Sequence, residues 1–80
     1  MHYFGLYRGI CVNNLDPLAS GRLQVVVPAI SAVSENGSWA LPCRALGMPA
    51  AAPPSVGEDV WVMFEAGDPS RPVVIGTRPE

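Results

Sequence analysis

Glycine and proline set the first limit on this chain. Eight glycines and nine prolines are spread through 80 residues, about one residue in five, and they punctuate the chain, singly or in clusters, every ten residues or so. The runs between them are short and rich in Val, Ile, Tyr, Trp and Leu, side chains that suit a pleated, half-buried surface. No stretch carries a helical apolar period. The spacing predicts strands at Tyr3 to Val12, Arg22 to Val27, Ser38 to Leu46, Asp59 to Glu65 and Arg71 to Thr77.

Alternation within these runs assigns faces, because successive side chains of a strand point to opposite sides. In "DVWVMFE", Val60, Val62 and Phe64 share one face and Trp61, Met63 and Glu65 the other. In "RLQVVVP", Leu23, Val25 and Val27 oppose Gln24 and Val26, and Pro28 ends the ladder because it has no N–H to donate. Gly5 and Gly9 interrupt the first run, as at a bulge or a barrel corner. A long first strand that bends to serve two sheets predicts a small five-stranded barrel, whose closure removes the exposed edges of short strands. A small sandwich with two ordinary strand glycines is the alternative.

A chain of 80 residues is one domain with a thin core, burying only about 60% of the surface its unfolded chain exposes. It is 49% hydrophobic but 15% charged, well below the roughly 25% usual in globular domains. Part of the surface is therefore expected to be covered by neighbours. The five positive residues are all arginines (Arg8, Arg22, Arg44, Arg71, Arg78), and the net charge is −2. Cys11 and Cys43 lack the C-x-x-C spacing of metal or redox sites and are expected to be free, buried thiols. The N-terminus lacks the basic and apolar regions of a signal peptide, and no run approaches a membrane span.

Two connections are singled out as docking features. In "GDPSRP", Pro69 presets a turn, Asp68 is placed to accept a hydrogen bond from the N–H two residues on, and Arg71 is in reach of Asp68, a surface pair that contributes little. Rigidity is the product. The loop "GMPAAAPPSVG" is uncharged and proline-rich, hence stiff and extended, and suits contact with a partner through Met48, Pro49, Pro53 and Pro54. Val26, Trp61 and Met63 are the outward contacts expected on the strands.

The stretches "DPLASGRLQVVVP" (16 to 28) and "PPSVGEDVWVMFEAGDPSRPVVIG" (53 to 76) together resemble a known family. It is the oligonucleotide/oligosaccharide-binding (OB) barrel of contractile injection machines: baseplate assembly protein V and central spike proteins of contractile-tailed phages, and valine-glycine-repeat spike proteins of type VI secretion. The resemblance implies a Greek-key five-stranded barrel acting as a structural adaptor near the tip of a tail tube, with hub, tail-tube and spike proteins as partners. It implies a homo-oligomer, a trimer first and a hexamer as alternative, located in a virion tail or baseplate after assembly in the bacterial cytoplasm. Relatives often continue into a β-helical needle or carry a lysozyme or hub domain. This sequence is expected to be a single free-standing barrel over residues 1 to 80.

No catalytic, cofactor or metal residue is expected. His2 stands alone at the terminus and reads as a disordered end residue, and Glu58 and Asp59 point to opposite faces if both lie in a strand. Single-strand nucleic-acid binding is the rival function, because OB barrels often serve it. Six aromatics are available (Tyr3, Phe4, Tyr7, Trp39, Trp61, Phe64), but scattered arginines, no lysine and a negative net charge supply no positive groove.

Overall fold

The computed structural model of the protein describes residues 2–18, 21–30, 37–43, 46–47 and 53–79. Five strands follow one another: β1 (Tyr7–Asn13), β2 (Leu23–Val26), β3 (Ser38–Pro42), β4 (Asp59–Phe64) and β5 (Pro72–Thr77). They close into a barrel in the order β1-β2-β3-β5-β4. Every neighbouring pair is antiparallel except β3 with β5, which run parallel through Leu41↔Val73 and Pro42↔Val74. The barrel, rather than the sandwich, is the outcome.

The first strand serves both of its neighbours in sequence along its length. Tyr7 to Ile10 pair with β4, and Ile10 to Asn13 pair with β2. The irregularity in β1 falls between Cys11 and Asn13, not at Gly9. Gly9 is instead a close-packing residue: a Cβ there would lie 2.9 Å from Val62 Cγ2 and 3.2 Å from the Val26 carbonyl oxygen, so only glycine lets β1 lie this close to β4 and β2 at that point. The predicted strand also began too early, because the chain bends at Gly5 (φ +99) and β1 starts at Tyr7. At its other end β3 is shorter than expected. It stops at Pro42, which has no N–H for a further ladder bond.

The inward faces match the alternation. Cys11, Leu23, Val25, Val27, Ile30, Ala40, Val60, Val62, Phe64 and Val74 form the core. These are mostly small or β-branched side chains, as a narrow barrel requires, because its inward-pointing residues must fill a tight interior without voids. Cys11 and Cys43 are both free, but only Cys11 is buried; Cys43 is exposed. Cys43 lies one residue beyond β3 and three positions from the inward-facing Ala40, so the alternation sets it on the outer side with Leu41.

Strand directions sort the connections onto two ends. One end carries the segment before β1, the β2–β3 connection and the β4–β5 turn. The opposite end carries the β1–β2 connection, the long β3–β4 loop and the residues after β5.

Candidate docking surface

At the first end, β4 leaves Phe64 for a single tight turn, Glu65–Gly67. Ala66 adopts φ 54, ψ 24 and Gly67 follows at φ +75. Two successive left-handed residues reverse the chain sharply, and for alanine that conformation costs about 1–2 kcal/mol. The surroundings hold it. The Asp68 N–H donates to the Glu65 carbonyl (3.0 Å), the Arg71 N–H to the Asp68 carbonyl (2.9 Å), and the Glu65 N–H to the Arg71 carbonyl (3.0 Å).

Asp68 makes the side-chain turn expected of it. Its Oδ1 accepts from the Ser70 N–H at 2.9 Å and from the Ser70 hydroxyl at 2.7 Å. The Ser70 hydroxyl first, then the Ser70 N–H and the nearby Arg71 and His2 charges, hold the Asp68 carboxyl below its ordinary value. Arg71 reaches both Asp68 (3.7 Å) and Glu65 (3.8 Å) and is exposed. The turn thus presents a mixed-charge tip on a hydrogen-bonded base.

Under it lies an aromatic cluster. Tyr7 and Phe64 meet edge to face with ring centres 5.6 Å apart, and Tyr3 lies 6.2 Å from Phe64 and 6.5 Å from Tyr7. Such pairs add about 0.5–1.5 kcal/mol each beyond the area they bury. The residues before β1 reach this cluster by running across the turn, where the Tyr3 N–H donates to the Gly67 carbonyl at 2.8 Å. His2, far from being a loose terminal residue, stacks on Phe4 with ring centres 5.7 Å apart.

The opposite end is built on charge. Asp16 accepts a forked pair from Arg22, Nε to Oδ2 at 2.9 Å and NH2 to Oδ1 at 2.8 Å, while the Arg22 and Leu18 N–H groups also donate to the carboxylate. The Asp16 side chain is 3% exposed. The Arg22 guanidinium lies over Trp39, 5.1 Å from the ring centre, a cation–π contact. Hydrogen bonding to Asp16 raises the Arg22 pKa further. That the charges of Asp16 and Arg22 form one fork is not visible in the sequence, because spacing alone does not say which arginine closes on which acid.

The proline-rich loop enters this end. Pro54 is half-buried, and its carbonyl accepts from Asn14 Nδ2 at 3.0 Å, so this part of the loop is tied to its own barrel. Pro53 is exposed. Met48 and Pro49 lie outside the described residues. Nearby, an open recess of about 470 Å³ is lined by Ser55, Gly57, Glu58, Asp59, Thr77, Arg78 and Pro79. Its charges are engaged: Asp59 pairs with Arg78 at 3.2 Å, and Glu58 Oε2 accepts the Ser55 N–H at 3.0 Å.

Between the ends, the outer wall carries an apolar row. Leu41 on β3 sits opposite Val73 on β5, which sits opposite Met63 on β4. Leu41 is 50% exposed, Met63 41% and Ile75, in the β4–β5 irregularity, 42%. Trp61, half-buried, stands on the same outer face between Arg8 and Gly76. Val26 also faces outward, but opposite Ile10, with the whole width of β1 between it and Trp61. The residues expected at contacts therefore divide among three places: Asp68 and Arg71 on one end, Pro53 and Pro54 on the other, and Trp61 and Met63 on the wall with Val26 apart from them.

Among the described residues, no group of three or more His, Cys, Asp and Glu side chains could hold a metal ion. Burial pushes the Cys11 thiol above its ordinary value, so it stays protonated at neutral pH. Three of the four described arginines, Arg22, Arg71 and Arg78, are paired with carboxylates; Arg8 faces outward beside Trp61. Among the described residues no helix is long and apolar enough to cross a membrane.

A closed five-stranded barrel with this strand order is an OB fold. Residues 7–78 match the family of type VI secretion system and phage-baseplate injector OB domains, and the chain belongs to that family. The family is one of structural baseplate domains rather than enzymes, and it implies baseplate and spike components as neighbours in a tail or baseplate setting. A search of curated proteins finds no match.

Proposed function

We propose that this protein is an adaptor barrel of the hub or central spike region, set at the tip of the tail tube of a contractile injection machine and repeated around the tube axis as a homo-oligomer. The reading is carried by the apolar row Leu41–Val73–Met63, exposed at Leu41 and Met63, on the wall of an injector-family barrel. A contiguous apolar group, unlike a lone exposed leucine, marks an interface. Closed rotational symmetry presents the same patch on every copy, with a trimer as the first stoichiometry and a hexameric ring as the second.

The two ends give the adaptor its mechanics. The turn at Glu65–Arg71 faces one neighbour along the axis, and the proline-rich loop faces the other. Between them the barrel transmits load as a stiff plug. Because the barrel interior is already filled and its ladder closed, docking needs no rearrangement of the wall.

The test is the mass of the native oligomer in solution for the wild type, Trp61→Glu and Met63→Glu. We expect the wild type to assemble and both variants to fall to monomers with an unchanged far-ultraviolet circular dichroism spectrum. A wild type that remains a monomer at high concentration, alone and with its purified baseplate neighbours, overturns the reading. Tight, steeply salt-dependent binding of single-stranded oligonucleotides by that monomer would favour the nucleic-acid alternative.

A further inference from the structure

The segment before β1 crosses the strained turn and touches it at its weakest point. A Cβ built on Gly67 would lie 2.8 Å from Phe4 Cε1, 3.0 Å from Phe4 Cζ and 3.1 Å from the His2 Cβ. Glycine is thus required at 67 twice over, for its positive φ of +75 and to let the Phe4 ring seat. The Tyr3 N–H closes on the Gly67 carbonyl, and the Tyr7 hydroxyl donates to the Phe4 carbonyl at 3.2 Å. Phe4 nevertheless remains 72% exposed. A ring that is seated on one face and bare on the other can be lifted by a neighbour.

Left-handed alanine persists only where its surroundings over-determine it. At Ala66 the conformation is held by the turn's own backbone bonds, by one backbone bond from the N-terminal segment, and by the Phe4 ring and the His2 Cβ laid over the next residue. Residues 2–6 also lie outside the 7–78 span shared with the family, whereas the turn lies inside it.

We infer that residues 2–6 are a latch on the β4–β5 turn: with Phe4 seated on Gly67 the turn is held in one conformation, and with Phe4 displaced it opens. The latch makes the state of the turn depend on what touches the N-terminal segment. Its consequence for assembly rests on the docking role proposed above for that turn, but the latch itself is a property of the isolated chain.

Amide hydrogen exchange of the whole chain tests it. Phe4→Ala is expected to speed exchange at the Asp68 and Arg71 amides by at least about tenfold, with the β1–β4 ladder amides unchanged within about twofold. Adding Ala66→Gly to that variant relieves the left-handed strain and is expected to return the two turn amides most of the way to wild-type rates. Unchanged turn rates in Phe4→Ala overturn the latch, as does equal acceleration at every amide, which would make Phe4 a contributor to global stability alone. Failure of Ala66→Gly to restore protection also overturns it. If Arg71→Glu leaves the oligomer intact while Phe4→Ala still loosens the turn, the docking role of the turn falls and the latch stands.

Discussion

At the end where β4 turns into β5, the barrel is closed by rings and strained backbone, whereas at the end where β1 leads into β2 it is closed by a charged fork. The first closure uses Tyr3, Tyr7 and Phe64 packed together beneath a turn with left-handed Ala66 and Gly67. The second uses Asp16, 3% exposed, gripped by Arg22, which lies in turn over Trp39. Edge-to-face rings favour certain geometries but spread their energy over many weak contacts, so small displacements cost little and suit a turn that opens and closes. A bidentate fork allows one geometry and holds it. The contrast implies a compliant end and a fixed end on one small barrel.

The largest expected break is at the compliant end. Phe64→Ala removes the ring shared by both tyrosines and is expected to cost about 3–5 kcal/mol, read from urea unfolding; a loss under about 1 kcal/mol would mean that the rings do not hold this end. Next comes the fixed end. Asp16→Ala strips a buried carboxylate that accepts several charge-assisted hydrogen bonds, and the Tm is expected to fall by on the order of 10 °C, with altered Trp39 fluorescence but unchanged exchange at the β4–β5 turn. Loss of protection at the turn as well would erase the distinction between the ends.

The smallest effect sharpens the comparison at the turn tip. Asp68 has its folded-state pKa lowered, so its contribution is fully present above the unfolded value and is lost as pH falls through the lowered folded value. Ser70→Ala removes the largest cause, and the carboxyl-carbon NMR titration midpoint of Asp68 is expected to move up toward that of an ordinary aspartate. A midpoint unmoved by Ser70→Ala would assign the shift to Arg71 and His2 instead.

Much of the barrel was legible in local patterns. The inward triplet Val60, Val62 and Phe64 and the outward pair Trp61 and Met63 follow from alternation with period two, and the observed burial agrees. The Asp68 turn was legible because its partner lies two residues away. Harder to read were features set by residues far apart in the chain. Arg22 finds Trp39 only once β2 and β3 are paired, and Pro54 finds Asn14 across 40 positions of sequence. Cys43 was expected to be buried because cysteine usually is, but its position three residues past the inward-facing Ala40 leaves it exposed.

The sequence by itself determined that this chain is all-β, that it has five strands, and which side of most of them faces inward, since strand period and breaker spacing are local properties of the backbone. Only the tertiary structure decided that the two expected docking loops stand at opposite ends, that Val26 is parted from Trp61, and that the N-terminal segment lies across Gly67. Those facts depend on how closure of the barrel brings distant segments together, and no local preference encodes that.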